Sequence, residues 1–192
     1  LNLGLEALNL SEIPVYVFPR MKMFIKKNAM FQQLIDNKNI VLRDVNQFVD
    51  IKLNKEISIE SFLVPHRNEL SETAAYRIKS KDKTLIYIPD IDSWEDWDIK
   101  LEKLVEDNDI LILDGTFYNK KEIKHRDITK IPHPAIEDTM RILKGVDYKE
   151  KSKIYFTHLN HTNKVLDANS KEYNAVITSG YNILEDKKVF NL

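Results

Sequence analysis

Four short apolar runs in this chain each end on a histidine or an aspartate, and that repetition constrains the fold more than any other feature. "SFLVP" runs into His66, "TLIYIP" into Asp90, the stretch 110–113 into Asp114, and "KIYF" through Thr157 into His158. Apolar runs of this length, bounded by turn residues, read as buried strands. In α/β sheets functional groups collect just beyond strand ends, because the sheet fixes their position and the loop leaves them accessible.

The remaining stretches fit around such a sheet. "IPVYVF" (Ile13 to Phe18) reads as a short buried strand. Pro19 suits the first position of a helix through "PRMKMFIKKNAMFQQLID", with Met21, Phe24, Ile25, Met30, Phe31 and Leu34 on its apolar face. "NIVLRDV" and "FVDIKL" read as strands around a turn, and "ISIESFLVPH" alternates with a period of two. "AAYRIKS" and "KTLIYIPD" bracket Lys81-Asp82-Lys83 as a hairpin. Ser93 with Asp96 resembles a capping box opening the helix "SWEDWDIKLEKLVED", with Trp94 and Trp97 packing from one face. Pro134 opens a helix "PAIEDTMRILK" that Gly145 is placed to stop. No repeat, linker or low-complexity segment interrupts this, so the expectation is a single mixed α/β domain over 1–192.

Composition narrows the chemistry. With 192 residues and 43% hydrophobic content the chain can bury one core. A net charge of -1 presents no basic face, which counts against nucleic acid as the main partner, although Lys120, Lys121, Lys124, His125 and Arg126 form a local basic run. The absence of cysteine removes disulfides, thiolate metal sites and a thiol nucleophile. No run approaches the roughly 20 apolar residues of a membrane helix. "LNLGLEALNL" lacks the basic start and cleavage site of a signal peptide. A cytoplasmic location and no membrane partner are the resulting expectations. The four glycines are isolated, so no phosphate loop can form, and no G-x-S-x-G elbow is present.

What remains is metal chemistry. Two imidazoles and two carboxylates at strand ends suit Zn²⁺ best, with Fe²⁺ or Mn²⁺ as alternatives, and suit Mg²⁺ less. A cation would also offset the cost of carboxylates at buried strand ends. Each residue has a plainer reading. Asp90 and Asp114 could be turn residues, His66 a solvated loop residue, His133 a cap before Pro134, and His125 an exposed side chain. His158 resists such a reading, because it ends an apolar strand and is followed by His161.

"VPHRNELSETAAYRI", "LIYIPDID", "DILILDGTFY", "HPAIEDTM" and "IYFTHLNHTN", in this order, resemble the C-terminal half of metallo-β-lactamase-fold proteins. The most similar subgroup is that of the coenzyme PQQ (pyrroloquinoline quinone) synthesis protein B, and the same order is similar to the tRNA 3′-processing phosphodiesterase branch. The resemblance implies an αββα sandwich, of which this chain carries the C-terminal portion. It implies that Asp90 bridges metal ions, that His158 is the last metal-binding histidine, and that Asp114 is an acidic residue behind the ligands. It implies that His133 assists the leaving group and that His66 lies close to the site. His161 is left between substrate contact and a further ligand.

The H-x-H-x-D-H signature is absent, and Arg43 stands where a further histidine would be expected. The chain opens at Leu1 inside a helix-like pattern, as if in the interior of a longer protein. The expectation is therefore an incomplete first sheet and an exposed apolar face, covered by upstream sequence, by a second copy or by another contact. The activity implied is that of a metal-dependent hydrolase acting on a small-molecule substrate. An iron-dependent hydroxylase of the PQQ-synthesis-B type and a non-catalytic scaffold are the alternatives.

Overall fold

Among the described residues the alternating and apolar runs form nine strands, seven of them side by side in chain order in one sheet. The computed structural model describes residues 3–4, 8–122 and 131–192. Most of the helix expected in the opening ten residues, and His125 with Lys124 and Arg126, fall outside the described residues.

In the large sheet, β3 (Asp50–Lys52), β4 (Ser58–Leu63), β5 (Ala74–Lys79) and β6 (Thr84–Ile88) pair antiparallel. β7 (Ile110–Asp114), β8 (Ile154–Thr157) and β9 (Asn182–Ile183) then continue parallel to β6. Since β4 and β6 are both antiparallel to β5, they run the same way. The C-terminal ends of β4, β6, β7 and β8 therefore lie along one edge of the sheet, and this places the four strand-end residues together.

Period-two alternation decides what each face buries. Ile86, Leu111 and Ile154 align across β6, β7 and β8, as do Ile88, Leu113 and Phe156, and all six are fully buried. Their cover comes from α3 (Leu101–Glu106), α4 (Ile136–Ile142) and the helix Lys171–Thr178, through Leu101, Leu104, Val105, Ile136 and Val176, with Trp94 and Trp97. Burying each such side chain stabilises the fold by about 1.5–3 kcal/mol. The hairpin at Lys81-Asp82-Lys83 is closed by Ser80, whose N–H donates to the Lys83 carbonyl at 2.9 Å.

The opposite face is only partly covered. A separate parallel pair, β1 (Ile13–Val17) and β2 (Ile40–Asp44), lies over its β3–β5 end, where Phe18 and Val45 approach Ile51, Ile59 and Tyr76. Phe190 of the C-terminal tail packs edge-on against Tyr155, with ring centroids 5.0 Å apart. Between these covers Tyr76 and Tyr87, paired across β5 and β6, remain 39% and 37% exposed.

Three expectations need correction. The helix after Pro19 is two helices, α1 (Pro19–Lys27) and α2 (Ala29–Asp36), because Asn28 adopts an extended backbone and its side chain accepts from the N–H of Met30 at 3.2 Å, capping the second. Ser93 does accept from the N–H groups of Glu95 and Asp96, yet the turn does not propagate and the helix begins only at Leu101. Trp94 and Trp97 bend back from that turn to donate to Thr139 and to the Leu63 carbonyl, fixing it in a non-helical course. The segments read as strands around a turn, β2 and β3, lie in different sheets.

Candidate metal centre

The shared sheet edge brings His66, Asp90, Asp114 and His158 together, and the loop before α4 adds His133. The five make two distinct arrangements, which their distances separate.

The first is built on Asp90. His66 follows β4, and the Pro65 carbonyl before it accepts from the N–H of Asp92 at 2.7 Å, tying the β4 and β6 ends together. His66 Nδ1 is hydrogen bonded to Asp92 Oδ1 at 2.8 Å. With that nitrogen donating, Nε2 carries the lone pair, and it points at Asp90 Oδ1 from 3.7 Å without a hydrogen bond. His158 also approaches Asp90, with Nδ1 3.4 Å from Oδ1 and likewise unbonded to it. Two donors on one tetrahedral zinc, each about 2.1 Å from it, lie about 3.4 Å apart. The His66–Asp90 gap has that character, too wide for a hydrogen bond and close to the spacing of ligands on a common ion. His66, Asp90 and His133 each offer a donor atom within 4.8 Å of the others.

The second is built on Asp114, which is completely buried. Oδ1 accepts from the N–H of Thr116 at 2.9 Å and from its hydroxyl at 2.8 Å. Oδ2 accepts from the N–H of Ile91 at 3.1 Å and from His133 Nδ1 at 2.6 Å. A carboxylate has about four acceptor positions, and protein donors fill them all. Asp114, His133 and His158 also lie within 4.8 Å of one another, but a saturated carboxylate leaves an ion no oxygen. The second arrangement is a proton network.

Burial by itself would push the His133 imidazole below the ordinary histidine value. The hydrogen bond and charge of Asp114, with the charges of Asp90 and Asp92, outweigh it and hold the group above that value. His133 also lines a cleft of about 170 Å³, with Trp94, Lys120, Asp138 and Arg141 on its other sides. Lys120 and Arg141 are both paired with Asp138.

Of the residues singled out from the sequence, His66, Asp90, Asp114, His133 and His158 converge, whereas His161 is exposed and belongs to neither arrangement. His133 is not a cap, since the N-cap position of α4 is Ala135. Two participants carried no sequence expectation. Asp92 was legible as the second aspartate of "PDID", two residues from Asp90 and so able to reach the same loop. Thr116 was legible in Asp-Gly-Thr, a turn in which a hydroxyl returns to the carboxylate two residues back.

Comparison with known proteins agrees with this architecture. A family model described as the beta-lactamase superfamily domain matches residues 3–159. Among solved structures, Zn(2+)-bound PqqB from Methylobacterium extorquens superposes with a TM-score of 0.70 at 19% identity, over 94% of this chain and 65% of that one. A diphosphatase from the PhnP family gives 0.57 at 20% identity, over 92% and 56%. Isothiocyanate hydrolase from Delia radicum gut bacteria gives 0.52 at 15% identity, over 94% and 67%. The chain thus spans less than two thirds of the first two. No curated protein sequence matches it. At these identities the likeness is one of fold, a mixed sheet flanked by helices. No described helix is long and apolar enough to cross a membrane.

Proposed function

The chain belongs to the beta-lactamase superfamily, and on that premise we propose that it is a metal-dependent hydrolase of small phosphoester or related substrates. The carrying observation is the adjacency of the two arrangements: an ion position at Asp90 and His66 beside a buried carboxylate–imidazole pair, Asp114–His133. Asp90, His66 and His158 would hold the ion. Three protein ligands with one open position is the pattern of catalytic rather than structural zinc sites. Such an ion, once bound, supplies a lowered water pKa and a polarising charge.

The chain's own side chains account for the rest. Asp92 holds His66 in the tautomer that presents Nε2. Asp114 orients His133 and favours its protonated form, so that His133 can give a proton to a departing oxygen and recover it afterwards. The cleft lined by His133, Lys120 and Arg141 is where that departing group would lie. The diphosphatase and isothiocyanate hydrolase among the structural neighbours support hydrolysis as the reaction class.

The test measures zinc content and hydrolysis of bis(p-nitrophenyl) phosphate in parallel. Asp90→Ala and His66→Ala should lose zinc and turnover together. His133→Ala should keep zinc while turnover falls about 10²- to 10⁴-fold, the usual contribution of a general acid. His161→Ala should change neither. Full zinc in all four variants would sink the ligand assignment, and unimpaired turnover in His133→Ala would remove the acid.

A further inference from the structure

Beyond Asp114 and Thr157, the last paired residues of β7 and β8, the two chain segments stay joined through one buried side chain. We propose that Asn163 is a positioning residue that clasps the turn behind Asp114 to the turn carrying His158, and so fixes the separation of proton donor and ion ligand. The role rests on the metal-dependent reading above, and it falls to a residue outside both arrangements.

Asn163 is buried, and backbone groups engage both ends of its carboxamide. Nδ2 donates to the Gly115 carbonyl at 2.8 Å and to the Thr116 carbonyl at 3.2 Å. Oδ1 accepts from the N–H of Val165 at 3.1 Å. Carbonyls only accept and a backbone N–H only donates, so the amide has one possible orientation. Gly115 and Thr116 meet the β8 side twice more. The Gly115 N–H donates to the Thr157 carbonyl at 2.9 Å, and the Thr116 carbonyl accepts from the N–H of Asn160 at 3.0 Å. The N–H of Asn163 closes back on the Asn160 carbonyl at 2.8 Å.

These ties bracket His158. Thr157 before it and Asn160 after it are both held to residues 115–116, and between them His158 keeps φ 57°. That left-handed backbone persists in a non-glycine residue only where the surroundings over-determine it. On the other side, Thr116 donates its N–H and its hydroxyl to Asp114, and the hydroxyl oxygen lies 2.9 Å from His158 Nδ1. A shift of residues 115–116 against 157–163 therefore moves the Asp114–His133 pair against His158. The plainer role of Asn163, capping the short turn Lys164–Leu166, uses Oδ1 alone, and aspartate or serine would fill it as well. The two carbonyls behind Asp114 need the Nδ2 group, which neither of those residues carries.

Asn163→Asp and Asn163→Ser separate the two roles, since each keeps an acceptor for Val165 and loses the double donor. Amide hydrogen exchange of the metal-free protein reads the clasp. The Gly115 and Asn160 amides should exchange at least about 10-fold faster in both variants, as a local opening does. The Leu111 amide, bonded to the Lys153 carbonyl at the far end of β7, should keep its wild-type rate. Zinc affinity from chelator competition, and kcat at saturating zinc, should each fall about 10- to 100-fold with KM nearly unchanged. Wild-type exchange at Gly115 and Asn160 overturns the inference. So does acceleration shared equally by Leu111, which marks general destabilisation, and so do unchanged zinc affinity and kcat in variants whose clasp has opened. If Asn163→Asp does not fold, Asn163→Ser, which buries no charge, decides. A chain that hydrolyses nothing would refute the proposed activity, while exchange and zinc affinity would still decide Asn163.

Discussion

The imidazole of His133 sits under opposed influences, and its titration should show in stability as well as in turnover. Its folded value is raised by Asp114, Asp90 and Asp92 against the cost of burial. A raised group contributes stability that is complete below its unfolded value, about 6.5 for histidine, and is lost as pH rises through the folded value. The urea midpoint of the wild type should therefore exceed that of His133→Gln most at pH 6 and least at alkaline pH. A difference that grows with pH would mean that His133 is held neutral instead. At this scale the sequence was a partial guide. Strand-end position singled out His66, Asp90, Asp114 and His158, because a buried strand has few reasons to stop on such groups. It could not separate ligand from proton donor, since that rests on gaps of 2.6 Å against 3.7 Å across residues distant in the chain.

Between β7 and the loop that carries Thr116, Gly115 lets two elements touch. A Cβ at this position would come 2.8 Å from Phe156 Cβ and 3.1 Å from the Thr157 carbonyl, atoms anchored in the neighbouring strand β8. Gly115→Ala should therefore destabilise the protein by about 1–3 kcal/mol, as overpacking does, and loosen Thr116 against His158. Gly145→Ala, with nothing within 4 Å of the new methyl, should be neutral or gain about 0.4–1 kcal/mol. Urea denaturation of both variants checks the contrast, and equal stability in the two would remove the steric account. Strands were more legible than helices at this scale. Apolar alternation marks β4 through β8, because each face is either core or not. The periodicity from Met21 to Leu34 runs unbroken through Asn28, where a local hydrogen bond to Met30 ends one helix and starts the next. Ser93 likewise offers a start signal that Trp94 and Trp97 override by packing.

Across the whole molecule the parallel edge explains why the strand-end groups meet. The sequence could suggest an α/β sheet but not the order of its strands, which depends on pairings far apart in the chain. On the sheet's less covered face Tyr76 and Tyr87 remain partly exposed. The change from antiparallel to parallel pairing at β6 also has a kinetic side. β4, β5 and β6 are joined by short connections and can pair soon after collapse, whereas β7 and β8 must wait for long crossovers, which close more slowly. His66 and Asp90 belong to the early part, while Asp114, His133 and His158 arrive with the late part. We expect zinc to speed refolding of the wild type and to leave Asp90→Ala unaffected, as read by stopped-flow tryptophan fluorescence. A rate indifferent to zinc would mean that ions enter only a finished sheet. If zinc does speed refolding, the order in which the strands join is the order in which the protein acquires first two ligands for a cation and only later the third, together with the means to use it.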